Sequence, residues 1–192
     1  MTLLADILTY NQTFVANKEY EAYTATKVPA KKAVLVTCMD TRLQDLSTKA
    51  LGFNNGDLKV VKNAGATITH PYGSTMRSIL VGIYALGAEE IIIMGHKDCG
   101  MGSLNVDEVM TTMQERGIKK EVFEWLQYSG IEVTDFLKGF DDVYDSVRHS
   151  IQMVYNHPLF DNKVPVHGLV IEPHTGELEL IHDGYERLSQ QS

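Results

Sequence analysis

Glu90-Ile91-Ile92-Ile93-Met94-Gly95-His96-Lys97-Asp98-Cys99-Gly100 is the stretch on which the fold turns. Its first half is a short apolar, largely β-branched run with no polar face, which suits a strand covered on both sides in a parallel sheet. Its second half is a glycine-bounded turn carrying an imidazole and a thiol. The same design recurs upstream. Ala33-Val34-Leu35-Val36-Thr37 is a second apolar run that stops at Cys38, and Leu58-Lys59-Val60-Val61-Lys62 is a third that ends in Asn63-Ala64-Gly65.

Helical patterns separate these runs. Leu43, Leu46, Ala50 and Leu51 fall at helical spacing with Gly52 as the stop, and Ser74 starts a helix that carries Met76, Ile79, Leu80, Ile83 and Leu86 and closes at Gly87. Further helical patterns occupy 103–116, 119–128 and 141–156, the last with Val143, Val147, Ile151 and Val154 on one face. Val166 to Glu172 and Glu177 to His182 read as strands joined by Pro173-His174-Thr175-Gly176, a turn short enough to make them antiparallel neighbours. Residues 2–23 form an apolar-striped helical arm with Leu4, Ile7, Leu8, Phe14 and Val15, followed by a polar linker from Thr24 to Lys32. The expectation is an α/β fold: a mostly parallel β-sheet flanked by helices, with an antiparallel edge strand at the C-terminus and an N-terminal helical arm. Residues 1–192 are read as a single domain, with 1–32 as arm and linker and 103–139 as a helical insertion. In such sheets ligands bind beyond the carboxyl ends of the strands, where Cys38, Asn63 and His96 to Cys99 all fall.

Composition narrows the function classes. Hydrophobic residues at 44% and charged residues at 22% describe a globular chain that buries a core. Lys and Arg number 17 against 25 Asp and Glu, so the formal charge is 17 − 25 = −8, which disfavours nucleic acid and anionic lipid as partners. No apolar stretch approaches the ~20 residues needed to cross a bilayer. Two cysteines are too few for a secreted disulfide framework and the N-terminus does not read as a signal peptide, so the expected compartment is the cytoplasm, with both thiols reduced.

Cys38, His96 and Cys99 are one imidazole and both thiols of the chain, each at a strand end. If those strands are close in the sheet, they form a Cys₂His set with an open fourth position, a catalytic zinc arrangement. The alternative is two packing cysteines and a hydrogen-bonded loop histidine. Cys38-Met39-Asp40-Thr41-Arg42 adds a carboxylate and a guanidinium beside the first thiol. Arg42 can hold Asp40 ionised and aimed, so that Asp40 accepts the hydrogen bond of a metal-bound water. The plainer role for Asp40 is to cap a helix starting at Thr41. Gly100 offers a backbone N–H to a substrate oxygen, or serves backbone geometry alone. His70, in the loop after Asn63-Ala64-Gly65, is a weak candidate for a proton shuttle.

These motifs resemble the β-class carbonic anhydrases. The matching segments are Cys38-Met39-Asp40-Thr41-Arg42, Lys62-Asn63-Ala64-Gly65 and Gly95-His96-Lys97-Asp98-Cys99-Gly100, in family order, and the run from Ile83-Tyr84-Ala85-Leu86-Gly87 to Cys99-Gly100-Met101 is most similar to the short prokaryotic branch. The resemblance implies Zn²⁺ held by Cys38, His96 and Cys99, and Asp40 with Arg42 as the catalytic dyad. It further implies reversible hydration of CO₂ to bicarbonate by a zinc-bound hydroxide, and a homodimer or dimer of dimers embraced by the N-terminal arm. Hydrolysis of carbon disulfide or carbonyl sulfide at the same site is the alternative within the family; a noncatalytic zinc-binding interaction module is the alternative outside it. Two departures stand out. Lys62 occupies a place where many relatives carry Arg, which bears on the dimer-facing wall of the pocket, and Asn105 to Gly139 matches no family role. The apolar positions Val109, Met110, Met113, Val122, Phe123 and Leu126 in that insertion favour packing.

Overall fold

The computed structural model describes residues 2–190. Five strands, β1 (Ala33–Cys38), β2 (Leu58–Asn63), β3 (Glu90–His96), β4 (Val166–Ile171) and β5 (Leu178–His182), form one sheet in the order β2-β1-β3-β4-β5. The first four run parallel and β5 pairs antiparallel with β4, with a register irregularity at Gly168 and Leu169. Every residue of β1 is buried, as its unbroken apolar run requires. The edge strands β2 and β5 are only partly covered.

Helices α1 (Leu3–Ala16), α2 (Leu46–Lys49), α3 (Ser74–Tyr84), α4 (Val106–Glu115), α5 (Lys120–Tyr128), α6 (Val133–Leu137), α7 (Val143–Tyr155) and α8 (Gly184–Ser189) complete the chain. One face of the sheet, with Val34, Val36, Ile91, Ile93 and Val170, packs on Met76 and Ile79 of α3 and on Val147, Ile151 and Val154 of α7. Each such fully buried aliphatic side chain contributes about 1.5–3 kcal/mol, so this layer holds the sheet against the two helices. A Cβ at Gly95 would stand 2.7 Å from Val143 Cγ2, and one at Gly168 2.6 Å from Ile151 Cδ1. Lacking them, β3 and β4 lie directly on α7, which sets the depth of the neighbouring His96. The opposite face is thinner: Leu35, Leu43, Met94 and Ile171 pack there with Cys38 and Cys99 at its upper rim.

This is the expected α/β architecture. Local details differ, among them a short α6 at Val133–Leu137 that the helical patterns do not mark. The arm is not one helix over 2–23: α1 stops at Ala16, Lys18 takes a left-handed backbone (φ 55°) and a 3₁₀ turn follows over Glu19–Tyr23. The helical spacing after β1 yields only a 3₁₀ turn at Thr41–Leu43 and the single-turn α2, because the Asp40 carboxylate captures the Arg42 N–H at 2.9 Å and starts a tight turn. The first insertion helix begins at Val106 rather than 103, where the Asn105 side chain accepts from the Asp107 and Glu108 N–H groups. After the closing hairpin, Asp183 accepts from the Tyr185 N–H and opens α8, which sequence periodicity over so short a stretch does not signal.

In the insertion, Val109, Met110, Met113, Val122, Phe123 and Leu126 are all half-buried, while no residue of α4, α5 or α6 is fully buried. The three helices pack on one another as a layer outside the core. Nothing in α1 is buried, and Leu3, Leu4, Ile7 and Leu8 are each more than half exposed. No helix among the described residues is long and apolar enough to cross a membrane.

Candidate metal centre

Because β1 and β3 are neighbours in register, with Thr37 opposite Met94, the turns that leave their carboxyl ends meet. Cys38 leaves β1, His96 ends β3, and the turn through Lys97 and Asp98 brings Cys99 back beside them. The two Sγ atoms are 3.9 Å apart, and one ligating atom each from Cys38, His96 and Cys99 lies within 4.8 Å of the others. Among the described residues this is the group of His, Cys, Asp and Glu side chains arranged to hold a metal ion.

His96 is oriented by its other ring nitrogen. Its Nδ1 lies 2.8 Å from the Lys97 carbonyl, to which it donates in the Nδ1–H tautomer, leaving the Nε2 lone pair free. That Nε2 is buried with no hydrogen-bond partner, a costly state unless something else satisfies it. Two thiols beside an orphaned imidazole nitrogen are a donor set suited to Zn²⁺, and the residues fit that ion.

The metal-free electrostatics lean the same way. A hydrogen bond from the Cys99 thiol, opposed by burial and helped by His96 and the Asp40 and Gly65 N–H groups, lowers Cys38 to about 4. The Cys38 thiolate, together with burial, pushes Cys99 up. Burial works against a charged His96, but the Cys38 thiolate, the Lys97 carbonyl and Asp40 together move it upward.

Asp40 stands at the rim, its Oδ2 3.9 Å from His96 Nε2. It turns toward Arg42: Nε reaches Oδ1 at 3.0 Å and Nη2 reaches Oδ2 at 2.8 Å, the bidentate fork expected of this pair. Those bonds hold the Asp40 carboxyl well below the usual carboxylate range. The capping role weighed for Asp40 is also present, since its Oδ1 accepts the Arg42 N–H as well. A three-donor centre with an ionised carboxylate held beside it, rather than on it, leaves a fourth position for a small molecule.

The remaining candidates fall around this group. Gly100 opens a 3₁₀ turn directly after Cys99 with open space where a Cβ would stand, so close approach does not explain it. His70 accepts from the Tyr72 N–H at 3.0 Å and lines a cleft of about 640 Å³ with Asn63, Ala64, Met101 and Phe136. Lys62 Nζ donates to the carbonyls of Leu43 and Gln44 at 2.9 and 3.1 Å, fastening β2 to the turn that carries Arg42. Sequence reasoning gave Asp98 no role, yet Arg42 contacts it twice, at Oδ2 (2.9 Å) and at its carbonyl (2.8 Å). The signal available was a second acidic residue between two ligand positions.

The carbonic anhydrase family model matches residues 33–178. The Bacillus subtilis protein named "Putative carbonic anhydrase YvdA" is 52% identical over 97% of this chain and 94% of its own. The crystal structure of β-carbonic anhydrase isoform I from Trichomonas vaginalis superposes with a TM-score of 0.87 at 35% identity, covering 96% of this chain and all of that one. A carbon disulfide hydrolase of Acidithiobacillus thiooxidans is 28% identical over 88% of this chain and 87% of its own. With the family model spanning the four parallel strands and both turns that carry Cys38, His96 and Cys99, and with such identity along nearly the whole length, the chain belongs to the β-carbonic anhydrase family.

Proposed function

We propose that this protein is a zinc-dependent carbonic anhydrase, a carbonate dehydratase that interconverts CO₂ and bicarbonate. Cys38, His96 and Cys99 would hold the zinc, which supplies Lewis acidity and brings the ionisation of water to near pH 7. The observation that carries the reading is the bidentate Arg42 grip on Asp40, because a closed four-ligand site would need Asp40 released.

In this reading Asp40 accepts the hydrogen bond of the attacking water and aims its lone pair at the CO₂ carbon. A carboxyl held so far below neutrality is a poor proton store, so Asp40 orients, and the released proton passes to solvent buffer. Arg42 keeps Asp40 ionised and turned. Gly100 would donate its N–H to a substrate oxygen. Ala64, Gly65 and Met101 make the neighbouring surface small and apolar, which suits an uncharged linear substrate.

The exposed stripe of α1 supports a dimer in which the arm covers a second copy. Deleting residues 1–23 should convert the dimer to monomer or aggregate in light scattering; a truncated chain that stays a folded, fully active monomer would remove this part of the reading.

Stopped-flow hydration of CO₂ by zinc-loaded protein tests the whole. Rapid, zinc-dependent hydration is expected. Turnover of carbon disulfide without CO₂ hydration would move the chain to the hydrolase reading, and zinc binding with neither activity would leave a binding module.

A further inference from the structure

We propose that Asp98 is a third member of the Asp40–Arg42 pair: a positioning residue that fixes the plane of the Arg42 guanidinium and so keeps Asp40 turned away from the metal-ligating atoms. The inference deepens the function proposed above and rests on it for its catalytic meaning.

Arg42 spends its side-chain donors on four oxygens. Nε and Nη2 go to the two carboxylate oxygens of Asp40, while Nη1 goes to Asp98 Oδ2 at 2.9 Å and Nη2 also to the Asp98 carbonyl at 2.8 Å. A planar guanidinium bonded along two edges cannot rotate about its own bonds without breaking one set. Arg42 therefore ties the turn after β1 to the turn between His96 and Cys99. With Asp98 absent, it would grip Asp40 along one edge only and could follow that carboxylate as it moves.

The backbone at Asp98 makes this more than a surface ion pair. Asp98 has φ 51°, in the left-handed region that glycine and, after it, asparagine and aspartate adopt, so this turn suits an aspartate. Here carbonyl and carboxylate of one residue both reach the same guanidinium. The Asp98 side chain is 81% exposed, so its ion pair alone contributes little to stability. Its consequence is geometric. Asp40 Oδ2 lies only 3.9 Å from His96 Nε2, so a modest swing would carry it onto the ligand group.

Two variants separate the parts. Asp98→Gly accepts the positive φ without strain and keeps the carbonyl, removing the side chain at the cost of a freer backbone; Asp98→Asn keeps a side-chain oxygen and tolerates the same backbone. In metal-free protein, ¹⁵N NMR should show separate, slowly exchanging Nη signals for Arg42 in wild type, merged in Asp98→Gly and restored at least in part in Asp98→Asn. In cobalt-substituted protein, the ratio of open to Asp40-ligated sites, read from visible absorption, should fall about two- to fivefold in Asp98→Gly, the size expected for one exposed charged contact. Asp98→Gly that leaves both the Arg42 signals and the cobalt spectrum unchanged would overturn the proposal. So would equal loss in both variants accompanied by a lower melting temperature, because that pattern marks a purely structural residue. Failure of wild-type zinc protein to hydrate CO₂ would sink the proposed reaction while leaving the NMR result to judge Asp98 independently.

Discussion

The two ends of the sheet both bury histidines with an unpartnered Nε2, and they put them to different use. At the carboxyl end of β3, His96 Nε2 faces two sulfurs and the rim carboxylate of Asp40. At the opposite end, His167 near the start of β4 and His182 at the end of β5 are also buried at Nε2 without a hydrogen bond. Their surroundings are aromatic rings and carboxylates. The His167 ring lies 4.7 Å from that of Tyr185, its Nε2 3.6 Å from Glu90 and its Nδ1 3.7 Å from Asp183, while His182 stacks edgewise on Tyr155, which carries Arg187 on its face at 3.7 Å. Charge separates the ends too. A thiolate pushes His96 up, whereas burial, then His167 and Arg187, push His182 down. An orphaned imidazole nitrogen is thus no metal site by itself. Convergent thiols make it a candidate one, and at the other end aromatic packing and the Asp183 cap serve instead to dock α8.

The sharpest way to break this contrast is zinc content. Replacing either Cys38 or Cys99 by Ser should reduce zinc from about one per chain to near zero, a loss larger than the roughly 10–100-fold that removing an outer hydrogen-bond partner costs. His182→Gln should leave zinc untouched. Elemental analysis of the three purified variants decides; full zinc in both cysteine variants, or its loss in His182→Gln, would erase the distinction between the ends.

Next comes the rim. Arg42→Ala frees Asp40 from its bidentate partner, so Asp40 should join Cys38, His96 and Cys99 as a fourth ligand. Zinc should stay bound while hydration falls at least about 100-fold. Asp40→Asn should lose activity with the site still open. Hydration rates together with a crystal structure of zinc-loaded Arg42→Ala test this, and near-normal activity there would show that the pair does not gate the centre.

The smallest expected effect sharpens the other end. The folded pKa of His182 lies below its unfolded value of about 6.5, so between the two values the unfolded chain binds more protons than the folded one. Its stability contribution is therefore complete above pH ~6.5 and lost as pH falls through the folded value. In metal-free protein, His182→Gln should flatten the decline in melting temperature between neutral and mildly acidic pH by a few degrees. An unchanged slope would mean that His182 titrates alike folded and unfolded.

Much of this was legible in the sequence. The apolar runs 33–37 and 90–94 state that both faces of those strands are covered, and chemistry-bearing residues directly after them state where the site must be. The helical patterns over 103–116 and 119–128 likewise anticipated packed apolar faces, whereas the short α6 carries no such signal. The broken helix after β1 was not legible, because helical spacing at Leu43, Leu46 and Ala50 says nothing about the Asp40 carboxylate capturing the backbone N–H two residues after it.

The sequence by itself determined the alternation of strands and helices, the donor types at the strand ends and the acidic, globular character of the chain. Tertiary structure alone decided that β1 and β3 are neighbours, that Cys38 therefore meets Cys99, and that Arg42 reaches an aspartate 56 residues away. The reason is physical. Hydrophobic periodicity records which face of an element is buried, a property of nearby residues, whereas strand order and the convergence of side chains depend on how crossover connections stack elements distant in the chain.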